Sequence, residues 1–365
     1  MDSSFESKQN KRKNIIWALL FIVIAAASIY AVKRVSSEFS FKNLIRLIRT
    51  AAPLPVALAF CCSLIYILFQ ALSIKTLLKS FGHDRSILKC VRYSAADIYF
   101  SAITPSATGG QPACGYIMIR DGIPASCMTI CLVANWATYT ISILIIDIIA
   151  LIFFPQVFDY FGPAAKVLIC IGGAALLLLG SFGLIMAFWQ NAIESIGKFA
   201  IKVGKKLKLI KNYSAEVEVK QWIADYKGYS MQFKDHIPAL FRSLILNIIH
   251  RLGFLSITMF MYIAVNINGS QPMSKVIYTG LSLIGAQALI STGSTFIPIP
   301  GSMGYTDLMM LNAFSALMSS SEAASLELMA RSVAFYFSVG LCFIITIITL
   351  FFSKKAGASA PASKN

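Results

Sequence analysis

Charge is what this sequence has little of. Only 13% of its 365 residues are charged and 57% are hydrophobic, whereas a soluble domain carries roughly 25% charged residues. That deficit excludes an aqueous globular fold and a disordered chain alike. Acidic residues are the scarcer sign, 16 against 32 Lys and Arg, for a net charge of +16. Nucleic-acid binding does not follow, because the basic residues sit between long apolar runs, as membrane proteins place them. Histidine is nearly missing; His83, His236 and His250 stand far apart, so no metal site is expected. No two of the eight cysteines form a C-x-x-C pair, and nearly all fall in apolar runs, where a small core residue is the expected role. No polar stretch is long enough for a separate soluble catalytic domain. A hydrolase nucleophile motif and a Gly-Lys-Ser phosphate loop are both missing. No catalytic residue and no cofactor are therefore assigned.

What the sequence does have is apolar runs at 14–32, 53–74, 124–154, 163–189, 237–265 and 328–352. Twenty helical residues rise about 30 Å, the thickness of the hydrocarbon layer. The first run follows Lys8, Lys11, Arg12 and Lys13 but exceeds a signal-peptide core, so it reads as an uncleaved helix. Lys and Arg in the loops set the orientation. The N-terminal segment 1–13 holds four, 75–92 five, 190–236 nine and the tail 353–365 three, which puts 21 on one side. Only the five in 33–50 fall opposite. Both termini are therefore expected in the cytoplasm. The opposing segment spaces Lys42, Arg46 and Arg49 among Leu44, Ile45, Leu47 and Ile48, an interfacial amphipathic helix. The Lys-rich stretch 198–211 reads as contact with anionic inner-leaflet lipids.

Two further segments are broken. Segment 86–121 is interrupted at 104–112 by Thr-Pro-Ser-Ala-Thr-Gly-Gly-Gln-Pro, and segment 275–320 is interrupted at 291–304 by a Ser/Thr/Gly/Pro-rich stretch. Charge places both ends of the first on the cytoplasmic side; alternation places both ends of the second outside. Both read as re-entrant helical hairpins. The order span, span, hairpin, span then occurs twice, over 14–154 and 163–352, in opposite orientations. The expected fold is an all-α integral membrane protein with about six transmembrane helices plus two re-entrant hairpins, eight hydrophobic segments in two inverted repeats. Such repeats with paired helix breaks point to an alternating-access site near the midplane. The plainer alternative is that the breaks are ordinary kinks, common in membrane helices; their matched positions favour the site.

Each break supplies a new helix N-terminus, at 110–113 and 301–306, where free N–H groups and the positive dipole end suit an anion such as phosphate. Gly109, Gly110, Gly301 and Gly304, with Gln111 and Pro300, would let a headgroup near the backbone, and Thr104, Ser106, Thr108, Ser302 and Thr306 add hydroxyls. Arg251, near the centre of an apolar run beside His250 and one turn after Asn247, offers a bidentate fork for phosphate. A structural ion pair with Asp97, Asp147 or Asp307 is an equal alternative. Asp307 is a helix cap or a contact for a cationic headgroup, with capping favoured. Asp147 is read as interfacial. Gln70, Gln287, Asn135 and Tyr139 line a polar cavity or, more commonly in membranes, bond between helices.

The breaks themselves, ITPSATGGQP at 103–112 and PIPGSMGYTD at 298–307, resemble the paired motifs of the lysylphosphatidylglycerol synthase transmembrane family. The second departs from the usual pattern at Ser302, where Gly is usual, and at Asp307, where Glu is usual. The resemblance covers 14–352. It implies the membrane region of the multiple peptide resistance factor, a flippase part that moves aminoacylated phosphatidylglycerol outward in the bacterial plasma membrane. A soluble domain of the full-length relatives makes that lipid. Only 353–365 follow the last span, so a stand-alone flippase for a phosphate-bearing lipid is the expectation, and a lysyltransferase-type lipid-modifying enzyme, or its membrane subunit, the alternative. The expected partners are membrane phospholipid and anionic inner-leaflet lipids, with a homo-oligomer and a separate lipid synthase left open.

Overall fold

A computed structural model describes residues 41–188 and 213–352 apart from 234, 235, 270 and 303. The expected first span 14–32, the Lys-rich stretch 198–211 and the tail 353–365 lie outside the described residues. Among the described residues every regular element is a helix. In chain order these are α1 (Phe41–Thr50), α2 (Pro53–Ser80), α3 (Ile87–Ile103), α4 (Gly110–Arg120), α5 (Ala125–Phe153), α6 (Pro163–Phe188), α7 (Tyr213–Phe233), α8 (Ile237–Asn266), α9 (Met273–Ser294), α10 (Tyr305–Ser315), α11 (Ser320–Arg331) and α12 (Ser338–Phe352). A π-helical turn, Ser332–Phe337, joins the last two.

Proline starts most of the long helices. Pro53 and Pro163 open α2 and α6, Pro238 lies in the first turn of α8, and α5 and α9 follow Pro124 and Pro272. A preset φ and no N–H to satisfy make proline suited to that position. Two stops are equally local. Gly82 and Gly122, at φ 77° and 80°, follow α2 and α4, and His83 N and Ile123 N donate back to Leu78 O at 3.0 Å and Met118 O at 3.1 Å. This closure uses carbonyls that the helix end leaves free, and it needs a left-handed residue that glycine supplies without strain.

Among the described residues, six helices are long and apolar enough to cross a membrane: α2, α5, α6, α8, α9 and the continuous run Ser320–Leu350. The six differ from the expected set in two ways. The run 14–32 is outside the described residues, and α9, expected as one arm of a hairpin, has the length and composition of a span. The last span also starts earlier than 328, at Ser320, just after Ser319, whose Oγ donates to Glu322 Oε2 at 2.7 Å. Their outward faces are oily; Leu178 is 72% exposed and Ile152 67%. Their shared interior is polar. Ser73 on α2, Asn135 and Thr138 on α5, and Ser243 and Asn247 on α8 are all buried and bonded to one another at 2.6 to 3.5 Å. A surface more apolar than the centre is the arrangement that lipid, not water, stabilises.

Helices α2 and α8 pack antiparallel through the middle, Ser73 meeting Ser243, Tyr66 meeting His250, and Gly253 meeting Cys62. A Cβ on Gly253 would lie 3.1 Å from the backbone of α2, so the small residue sets the spacing. One apolar cluster gathers α2 to α5 with Tyr226 of α7, and another gathers α8 to α11. Between these clusters the chain breaks twice. It runs along α3, turns through Pro105–Ala107 and comes back along α4, so that Asp121 at its end accepts from Tyr93 Oη at 2.7 Å and from Arg85 Nη2 at 3.3 Å. The chain likewise leaves α9, turns through Pro300–Ser302 and returns as α10, which packs on α9 and α11. The two turns touch each other.

Candidate functional site

Non-glycine residues with a left-handed backbone occur, among the described residues, only in these turns: Ser106 (φ 49°), Ala107 (φ 56°) and Ser302 (φ 49°), with Gly301 (φ 60°) beside the last. Such residues are uncommon and cost about 1–2 kcal/mol each, so surrounding structure must hold them. Behind the turns lie two cavities. The larger, about 370 Å³, is lined by Ser106, Gln111, Gly301 and Ser302 from the turns, with Asp97, Tyr66, Trp136, Tyr139 and Arg251 among the walls. The smaller, about 210 Å³, is lined by Gly301, Ser302, Thr306, Glu327, Arg331 and Arg251. Arg251 belongs to both.

Arg251 is 7% exposed. Its guanidinium lies over the ring of Phe254 at 5.5 Å, and among the described residues it has neither a hydrogen bond nor an ion pair. None of the three carboxylates considered as partners takes it. Asp97 accepts from Gln70 Nε2, which is itself held by Ser94. Asp147 is buried and accepts from Thr292 Oγ1 at 2.6 Å; it is not interfacial, because α9 packs against that face of α5. Asp307, fully buried, is 2.7 Å from Arg331 Nη1 and accepts from Gly304 N at 2.9 Å, which makes it the helix cap. Arg331 also donates to Thr306 Oγ1 at 3.1 Å. Beside Arg251, His250 stacks on Tyr66 at 4.5 Å, and its Nδ1 is 2.6 Å from the Tyr66 carbonyl. The carbonyl can only accept, so Nδ1 carries the proton.

The other residues singled out in the sequence divide, although Ser302 and Thr306 also donate to backbone carbonyls, Ser294 O at 3.3 Å and Ser302 O at 2.9 Å. Ser106, Gln111, Arg251, Gly301 and Ser302 come together on the larger cavity, and Thr306 joins the smaller. Thr104 and Thr108 turn to their own backbone, donating to Phe100 O at 2.6 Å and Pro105 O at 3.0 Å. Thr104 Oγ1 also accepts from Gly109 N at 2.8 Å, so that amide is already satisfied. Gly109 and Gly110 lie against α3: a Cβ on Gly110 would sit 2.0 Å from Ser101 Oγ and 2.2 Å from Asp97 Oδ1. These two glycines close the hairpin and leave no opening for a headgroup at their own Cα. Pro300 belongs to the turn, and Gly304 starts α10 with φ 81°. Gln70, Asn135 and Tyr139 line the larger cavity and Gln287 the smaller. Sequence reasoning missed Glu327 and Arg331. They stand four residues apart, one turn on one face of a helix, which was the available signal.

The cysteines follow the simple expectation: all eight are free, and six are buried. Amphipathic α1 is docked, with Leu47 buried and Arg46, Arg49, Ile45 and Ile48 exposed.

The family model described as the lysylphosphatidylglycerol synthase TM region matches residues 15–342 of the sequence. The chain belongs to that family. No curated protein matches the sequence. Membership together with the six apolar helices makes this member of the lysylphosphatidylglycerol synthase transmembrane family a multi-pass membrane protein with a lipid-related role. Both breaks and Arg251 lie inside the matched region, so the cavities belong to the part that defines the family.

Proposed function

We propose that the protein is a flippase, a carrier that moves a phosphate-bearing lipid such as aminoacylated phosphatidylglycerol across the bacterial plasma membrane. The headgroup occupies the cavities between the two turns while the acyl chains stay in the bilayer. The observation that carries this reading is Arg251: a guanidinium 7% exposed, unpaired, and shared by two cavities. An isolated buried charge costs several kcal/mol, and a guanidinium matches phosphate with two parallel hydrogen bonds. Ser106, Gln111, Gly301 and Ser302 complete the phosphate side, and the left-handed turns hold them in place.

The transport reading includes an inverted repeat, supported by the packing. Exchanging the halves, α2 for α8, α3–α4 for α9–α10, and α5 for the Ser320–Leu350 run, turns one set of helix contacts into the other. The α2–α3 pair answers to α8–α9, and the two exchanged partners α2 and α8 pack on each other. Both termini are assigned to the cytoplasm from the distribution of Lys and Arg. Anionic inner-leaflet lipids, copies of the chain itself and a separate lipid synthase are the proposed partners.

The test is reconstitution into vesicles containing fluorescent phosphatidylglycerol, with quencher added outside. Wild type should expose inner-leaflet lipid to the quencher and Arg251→Met should not. A vesicle arm with external radiolabelled glycerol phosphate should show no uptake, which separates a lipid headgroup from a free phosphate. The enzyme alternative makes a different prediction, formation of aminoacyl lipid from phosphatidylglycerol and aminoacyl-tRNA. Product formed by the purified chain would replace the carrier reading.

A further inference from the structure

Glu327 in the wall of the smaller cavity and the fully buried Asp307 behind it set two carboxyls beside the cavity's two arginines, Arg251 and Arg331. Glu327 on α11 is 4% exposed, lines the cavity, and lies within hydrogen-bonding reach of the carboxyl of Asp307. Asp307 is 2.7 Å from Arg331 Nη1. Two carboxylates thus face one guanidinium at close range, and the remaining base on the cavity wall is Arg251. Other charged groups come from the elements packed against α11. From α10 comes Asp307; from α8, Arg251; from the π turn, no charged side chain. From α1, Arg46 shares a separate cleft with Glu322 and not with Glu327. Asp147, within electrostatic reach of Arg251, is on α5 and lines neither cavity; it adds negative charge to the same region.

If a lipid phosphate takes up the charge of Arg251, Glu327 and Asp307 are left with one guanidinium, that of Arg331, which Asp307 already holds. The added negative charge makes it costlier to keep both carboxyls ionised in a low-dielectric site, whereas one proton between them makes a hydrogen bond and removes the excess charge. We propose that the Glu327–Asp307 pair is a proton-binding site coupled to the phosphate site, so that lipid and proton are taken up and released together. The inference rests on the carrier reading above and assigns that carrier its coupling ion. The step is a proton association only: one carboxylate oxygen gains the proton on loading and returns it to water on release, and no other bond changes. Coupling between two sites is reciprocal, so acid should tighten lipid binding by the same factor as lipid strengthens proton binding. A factor of about tenfold is at the lower end of what coupled sites commonly reach.

The experiment uses purified full-length protein in detergent and dihexanoyl phosphatidylglycerol as the probe. With a pH-sensitive dye in weak buffer, adding the probe to wild type should remove about one proton per protein from solution, and the probe should bind about tenfold tighter in an acidic than in a basic buffer. Glu327→Gln, which keeps a hydrogen-bond donor to Asp307, should take up no proton and bind with equal affinity in both buffers. Glu322→Gln, at the start of the same helix, should behave as wild type. No proton uptake by wild type, or full uptake retained in Glu327→Gln, overturns the proposal. Infrared difference spectra taken without any lipid add a readout independent of transport. A protonated-carboxyl band should appear on acidification in wild type and be lost in Glu327→Gln, and its persistence in that variant overturns the assignment. In vesicles, lipid movement indifferent to a pH gradient overturns the coupling while leaving the carrier intact. No lipid movement in any gradient overturns the carrier instead.

Discussion

Replace Arg251 and Arg331, separately, by methionine. Both arginines line the smaller cavity, both changes remove one guanidinium, and methionine nearly preserves the volume, yet the two should behave oppositely. Arg331 is bound to Asp307 at 2.7 Å, and Asp307 has no exposed surface. Removing the cation strands a buried carboxylate and should cost about 3–5 kcal/mol. At about 2–4 °C per kcal/mol for a large domain, unfolding should come earlier by on the order of 10 °C. Arg251 has no bonded partner to strand, so Arg251→Met should unfold at or above the wild-type temperature. Its loss should be felt in the ligand. Two charge-assisted hydrogen bonds at about 1.5–3 kcal/mol each weaken phosphate binding by roughly 10²–10⁴, at 1.4 kcal/mol per decade. Arg251→Lys keeps the charge but only one arm of the fork and should lose about half of that free energy. Thermal unfolding in detergent and vesicle translocation, run on the same preparations, read both quantities. If Arg251→Met unfolds as early as Arg331→Met, Arg251 is a structural cation and the reasoning fails.

Three further outcomes are expected. Gly110→Ala should destabilise by about 1–3 kcal/mol, because its methyl would fall on Ser101 and Asp97; unchanged thermal unfolding would show that α3 and α4 can part. Asn247→Leu should cost about 1–2 kcal/mol by removing the donor shared by Ser73, Asn135 and Thr138, again read by thermal unfolding. In a variant without exposed Cys61 and Cys170, a cysteine at Lys227 should react only with membrane-permeant reagent and one at Gln271 with impermeant reagent; the reverse pattern would invert the orientation.

Long-range order was legible because the membrane imposes it. Proline at the first turn, glycine at the stop and about twenty apolar residues between are local signals, and α2, α5, α6 and α8 lie close to where those signals put them. The last span was misjudged at its start because Glu322 and Glu327 interrupt its hydropathy, although the helix runs through them. Met273–Ser294 satisfies the same length and composition test as the other spans, although the chain then turns through Pro300–Ser302 and continues as α10. Hydropathy measures transfer into lipid. It does not report whether a helix meets lipid on both sides or protein on one.

At the site, residue types were legible and their partners were not. Thr104, Thr108, Gly109 and Gly110 carry the same chemistry in the sequence as Ser106, Gln111, Gly301 and Ser302, yet the first four serve the hairpin and the second four line the cavity. For Ser106, Gly301 and Ser302 the difference is backbone conformation. Ser106 and Ser302 are left-handed, which turns each out of its helix, and no pattern of residue types specifies that for a serine. Arg251 posed the same problem more sharply. Three carboxylates were equally available to it in sequence, and each is taken elsewhere in space, by Gln70, Thr292 or Arg331. Arg331 is the decisive one: by satisfying Asp307 it leaves Arg251 unpaired, and by leaving Glu327 without a cation of its own it makes the same cavity short of one positive charge when a phosphate binds. A single ion pair, invisible in the sequence, thus separates the arginine that holds the fold from the arginine that is free to hold a ligand.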